Sequence, residues 1–205
     1  MQGYILNITK VKDEDLIVTL LTEKSLKTLY RFYGARHANV NIGFKIDFEI
    51  QTNRKSSIAM LRNVLHLSSK WMTHNRKFYL WQQFIKLFYR HLKDVEDLDP
   101  FYLNLLDETN KKFLKQNPLR CIVESYIKLL EFEGRLHDEF ICFVCDKQIK
   151  ENLVLTRGYL CAHRQCLLGD LLEYNKIKNL FKQKSTLFLS DEETKTLWKI
   201  IQEGL

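Results

Sequence analysis

Cys142 and Cys145 form one pair two residues apart, and His163 and Cys166 form a second, with only the short segment from Asp146 to Ala162 between them. Two residues between donors let a tight turn aim both at one metal, and the intervening chain is long enough for a small loop or hairpin. This spacing is that of a structural zinc site. The chain has five cysteines. Four of them fall within Cys142 to Cys166, which sets them apart from ordinary buried thiols. Cys161 lies two residues before His163, so Cys142, Cys145, Cys161 and Cys166 form a competing ligand set; His163 is preferred because it gives both pairs the same knuckle spacing. Cys121, among Leu119, Ile122 and Val123, reads as a core thiol.

A closed four-ligand site holds a fold together and leaves no position for water or substrate. The chain has no Gly-rich phosphate loop, no Gly-x-Ser-x-Gly elbow and no His-Glu-x-x-His helix. A non-enzymatic protein is therefore expected. A zinc-dependent hydrolase stays open only through Asp138 and Glu139, which are near the first pair in sequence.

At 205 residues and 45% hydrophobic, the chain is able to bury a substantial core. No apolar run approaches the roughly 20 residues of a membrane span, and the first ten residues lack the pattern of a secretion signal. Few cysteines outside the metal pairs fit a reducing compartment, and a cytoplasmic location follows as an expectation. The formal charge is +7, which favours a polyanionic partner.

Basic residues outnumber acidic ones from Met1 to Val64, and this part reads as β. Tyr4 to Thr9, Leu16 to Thr22, Thr28 to Tyr33 and Phe44 to Gln51 are short stretches rich in β-branched and aromatic residues. In the last of them Ile46, Phe48 and Ile50 alternate with Asp47, Glu49 and Gln51, as in a strand with one face inward. A small antiparallel barrel closes such strands economically. Beyond about Leu65 the period becomes helical. Phe78, Trp81, Ile85, Phe88 and Leu92 form one apolar stripe. Helices are also expected over Phe101 to Lys115, over Pro118 to Phe132, over Leu167 to Lys182, and after a capping box of Ser190 and Glu193. The fold class is α+β: a barrel domain over 1–68 and a helical domain over 69–205 that carries the zinc knuckle at 140–167.

The chain resembles the bacterial recombination mediator family RecO. The resemblance rests on Gly3-Tyr4-Ile5-Leu6, on the charged turn and strand Asp13 to Glu23, on Tyr33-Gly34-Ala35-Arg36-His37, and on the helix Tyr126 to Gly134 that precedes the first Cys pair. It departs from the family's pattern in having His163 where a Cys is common and Asp146 where a Gly is usual. The resemblance implies an N-terminal OB-fold that binds DNA and a helical, zinc-stabilised C-terminal domain. It implies a nucleoid-associated protein of the RecF pathway of DNA repair that acts with RecR. Such a protein binds single-stranded DNA, with double-stranded DNA a second partner, and also the acidic C-terminal tail of the single-strand binding protein. It anneals complementary strands and helps load RecA. OB-folds hold single strands by a basic groove and aromatic platforms, so Lys24, Lys27, Arg31, Arg36, Lys45, Arg54 and Lys55 are the expected DNA contacts, with Tyr30, Phe32 and Tyr33 as candidate platforms. Lys147, Lys150, Arg157 and Arg164 place further charge on the knuckle. The helix bearing Trp81, Phe84, Lys86, Phe88 and Arg90 is the candidate surface for the partner tail, against the simpler reading that its aromatics are core. An RNA-binding OB protein with a structural zinc is the alternative, because stacking on single strands serves both nucleic acids.

Overall fold

The computed structural model describes residues 1–36, 39–52 and 57–205. The chain divides into two compact units, Met1–Lys115 and Gln116–Leu205.

In the first unit β1 (Gln2–Lys10), β2 (Leu16–Leu21), β3 (Leu26–Arg31), β4 (Lys45–Gln51) and β5 (Met60–His66) close into a barrel in the order β1-β2-β3-β5-β4. All neighbours are antiparallel except β3 and β5, whose parallel contact at Tyr30 and Met60 seals the barrel. Ile5, Leu16, Val18, Leu20, Leu29, Ile46, Phe48 and Leu61 fill its interior. Register explains this set: Val18 pairs with Leu29, and Ile46 and Phe48 take the inward positions of β4, as their alternation requires. Each fully buried Leu, Ile or Phe is worth about 1.5–3 kcal/mol of hydrophobic transfer.

β5 is absent from the sequence expectation. Its burial does not alternate cleanly. Asn63 stands at a φ of 48°, and the β4–β5 register shifts between Asp47 and Glu49. A bulge of this kind breaks the period that a strand is recognised by.

α1 (Asn75–Leu92) and α2 (Phe101–Lys112) belong to the barrel's unit. The expected division at residue 68 thus falls at the end of the barrel, and the change of packing unit comes after α2. Trp81, on the apolar stripe of α1, lies edge-on to Tyr4 of β1, with ring centroids 5.8 Å apart. Its indole donates to the Gly43 carbonyl at 2.8 Å. Gly43 has a φ of 88°, and a Cβ there would sit 2.8 Å from the Trp81 ring, so close approach and backbone conformation both demand glycine.

The second unit contains α3 (Pro118–Phe132), the hairpin β6 (Leu153–Leu155) and β7 (Cys161–His163), α4 (Tyr174–Gln183) and α5 (Asp191–Gln202). α3 opens with Asn117 as cap and Pro118 in its first turn, and α5 opens with the Ser190–Glu193 capping box. The helix expected from Leu167 starts only at Tyr174. Leu172 instead bridges Leu153, each N–H bonding the other's carbonyl, and extended backbone there cannot join a helix. No helix among the described residues is long and apolar enough to cross a membrane.

Candidate metal centre and nucleic-acid surface

Two knuckles build the metal centre. In the first, the Cys142 N–H bonds the Lys147 carbonyl at 2.9 Å and the Asp146 N–H returns to the Cys142 carbonyl at 2.8 Å. In the second, the N–H groups of Cys166 and Leu167 both donate to the His163 carbonyl. β7 joins them, since the Phe143 N–H donates to the Cys161 carbonyl at 3.0 Å. The result gathers Cys142, Cys145, His163 and Cys166 so that one donor atom from each lies within 4.8 Å of all the others.

His163 turns Nδ1 toward the thiols, 3.4 Å from Cys145 Sγ. Its Nε2 lies 3.3 Å from the Gln148 carbonyl. A carbonyl only accepts, so Nε2 carries the proton and Nδ1 keeps its lone pair for a metal, the usual outer-shell arrangement for a ligating histidine. Burial pushes the Cys142 thiol up, but hydrogen bonds to the His163, Val144 and Cys145 backbone and to the Cys145 side chain outweigh it and bring its pKa down to about 6. Three sulfurs and one imidazole nitrogen suit a tetrahedral, thiophilic cation. Neither Asp138 nor Glu139 is among the four donors.

Cys161, the competing ligand, is packed instead. It is 1% exposed, its Sγ faces the Tyr159 carbonyl at 3.8 Å, and burial, aided by Cys142 and Glu139, pushes its pKa up to about 12. Cys121 is likewise buried in α3.

The expected DNA contacts do not form one cluster. Lys24 and Lys27 line a shallow groove with Met1, Gln2, Thr22 and Ser25 at one end of the barrel. Lys27 pairs with Leu20, and Arg31, at the far end of the same strand, pairs with Leu16. Lys45 is committed elsewhere: its Nζ reaches both oxygens of Asp107 at 2.8 Å, and that carboxylate also accepts from the Tyr4 hydroxyl. Arg36 pairs with Glu14 and stands 5.1 Å over the Tyr33 ring. Arg54 and Lys55 lie outside the described residues.

Near Arg31 the ingredients converge. Its guanidinium donates to the Leu61 carbonyl at 3.1 Å, while its buried Nε makes no hydrogen bond among the described residues. Burial and the adjacent Arg62 charge both lower its pKa. Arg62 is exposed and pairs across the ladder with Glu49; the sequence pattern passes over it because its strand is not recognised there. Tyr30 packs edge-on to Phe32 at 4.9 Å. The Tyr30 hydroxyl and the Tyr33 N–H both donate to Asp15, holding that carboxyl below its usual range. Phe32 and Tyr33 are about half exposed, whereas Trp81, Phe84 and Phe88 of α1 are fully buried core residues and offer no pocket to a partner tail.

Residues 1–72 match the family model described as RecO N terminal. No curated protein matches the chain.

Proposed function

Because residues 1–72 match the RecO N-terminal family model, we propose that the chain belongs to the RecO family and is a recombination mediator which binds single-stranded DNA and anneals complementary strands. A DNA repair and recombination role of the RecO type rests on this match, whose residues are those of the closed barrel; the match is the observation that carries the reading. The finer activity is inferred from chemistry. The outer surface of β2 and β3 with the loops at the Arg31 end is where OB-type barrels take single strands. Arg31, Arg62 and Arg36 would meet phosphates there, and Phe32 and Tyr33 would stack on bases. Lys24 and Lys27 extend the basic surface at the other end, with Arg54 and Lys55 as further contacts. Binding through phosphates and stacking is tolerant of sequence, as annealing requires.

In the same reading the protein acts on strands coated by the single-strand binding protein, engages that protein's acidic tail and RecR, and helps RecA to load. The metal is zinc, and its role is to hold the second unit's fold; when bound, it would be ligated by Cys142, Cys145, His163 and Cys166. No catalytic step is assigned.

The test is annealing of two complementary oligonucleotides at low and moderate salt, bare and coated with the cognate single-strand binding protein. Acceleration on coated strands supports a mediator. With Arg36→Ala and Arg62→Ala combined, the salt dependence of single-strand binding should flatten by about 0.7 in log–log slope for each phosphate that the protein ceases to neutralise. Wild-type protein that neither anneals nor binds DNA in a salt-sensitive way would falsify the reading.

A further inference from the structure

Beside the metal knuckle, in the second unit, lies a cleft lined by Arg135, His137, Phe143, Arg157, Gly158 and Leu160. Phe143 is 44% exposed, although it directly follows the metal ligand Cys142. Its backbone is fixed by the knuckle turn on one side and by its N–H bond to the Cys161 carbonyl on the other, so the turn sets where the ring leaves the chain. Two guanidiniums frame it. Arg135 bonds Glu133 at 2.8 Å through one nitrogen, and its other terminal nitrogen lies 3.9 Å from the position a Cβ would take on Gly158. Gly158 stands at a φ of 72° and, beyond its chain neighbours, has only Arg135 within 4 Å of the position a Cβ would take, so the floor of the cleft there is open. Arg157 is exposed, with its guanidinium against Gly204. Below them Tyr126 is fully buried and feels both arginines, which draw its pKa down against the dominant effect of burial.

The cleft thus presents two arginines and a histidine against one paired carboxylate, next to an exposed aromatic ring. This is the pairing of backbone charge and stacking platform that holds single strands. The neighbouring groove around Lys150, Glu151, His163 and Arg164 differs: its lining includes no Phe, Tyr or Trp, and Arg164 is turned onto the Gly169 carbonyl.

We propose that this cleft is a second single-stranded DNA contact, separate from the barrel, in which Phe143 stacks on a base while Arg135 and Arg157 each hold one of the flanking phosphates. The proposal rests on the DNA-binding reading above and adds a site to it. It also gives the metal a second consequence, since the knuckle that the metal fixes is the one that presents the ring.

Fluorescence anisotropy of a labelled 30-mer of thymidine, titrated with the metal-loaded full chain, tests it. Phe143→Ala should weaken binding about fivefold or more, with an unchanged salt slope, because a stacking interaction releases no counterions. The effect should vanish on an oligonucleotide of abasic residues. Arg135→Gln with Arg157→Gln should lower the slope by about 1.4, or 0.7 for each arginine. Melting and metal content identify any variant that fails to fold; the wild-type protein then decides, through photocrosslinking to 5-iododeoxyuridine strands. Crosslinks in the peptide bearing Phe143 support the site, and crosslinks confined to residues 1–72 overturn it. Variants that bind DNA like wild type overturn this site and leave the barrel reading standing, whereas wild-type protein that binds no DNA removes both. Unaltered DNA binding together with weakened affinity for a poly-glutamate peptide would assign the cleft to an acidic protein segment and overturn the proposal.

Discussion

Asp146 sits where the first knuckle turns back on itself, at a φ of 57°. The left-handed region crowds a Cβ against the backbone and is tolerated by Asp and Asn better than by most residues, but glycine enters it without steric cost, at the expense of a more flexible unfolded chain. The Asp146 N–H already supplies the bond that closes the turn, and its side chain is exposed. Asp146→Gly should therefore stabilise the second unit by about 0.5–1 kcal/mol, read as a higher melting temperature at unchanged metal content. A lower one would mean that the carboxylate contributes something the backbone does not. Lys45 presents the opposite situation, a charge held by the fold. With its side chain 17% exposed and its ammonium on both oxygens of Asp107, Lys45→Ala would leave a half-buried carboxylate with only the Tyr4 hydroxyl and cost about 1–3 kcal/mol. Urea unfolding measures that cost. The salt slope of DNA binding should stay at the wild-type value, and a flatter slope would return Lys45 to the DNA surface.

Among the elements, α5 carries its start signal openly. Ser190 Oγ accepts from the Glu193 N–H at 3.1 Å, and the Glu193 carboxylate accepts from the Ser190 N–H at 2.7 Å and from Lys176 at 3.0 Å. Burial raises the Glu193 pKa, but these bonds outweigh it, and the folded value lies below the ordinary 4.5. A depressed carboxyl stabilises the fold fully above its unfolded pKa, and the contribution fades as pH falls through the folded one. Ser190→Ala should cost about 0.5–2 kcal/mol at neutral pH, and the difference from wild type should narrow below pH 4.5; a difference constant down to acid unfolding would remove Glu193 from the account. The capping box is legible in the sequence because its two partners are three residues apart, and the alternation of β4 and the metal pairs are legible for the same reason of local spacing. β5 is hidden because Asn63 and the β4–β5 register shift interrupt its period. The stretch before α4 resembles helix because its partner strand, at Leu153, is remote in sequence. Lys45 looks like a DNA contact because nothing near it announces Asp107. Local chemistry shows through a sequence, whereas pairings set by the closed fold do not.

For the whole molecule, the two units set an expectation about what the metal supports. All four donors lie in Gln116–Leu205. They join the turn at Cys142 to the end of the β6–β7 hairpin, whose connecting turn packs Tyr159 against Tyr126 of α3 at 4.9 Å and near Phe181 of α4 at 6.3 Å. A metal that ties these turns together binds the folded unit and not the unfolded chain, so its affinity appears as folding free energy. The barrel has its own interior, built from β1 to β5, and no donor among the four. Chelation, or Cys142→Ser with Cys145→Ser, should then lower the melting of the second unit by roughly 10 °C or more, since about 2 kcal/mol shifts a domain of this size by that amount. Hydrogen exchange locates the effect. Amides of α3, β6 and β7 should exchange faster without metal, while those of β2 and β3 keep their protection. Unchanged protection around β6 and β7 would deny the cluster a structural role. Equally weakened protection in the barrel would show that the first unit's stability depends on the second, and would make the metal a support for the whole chain and not for one unit of it.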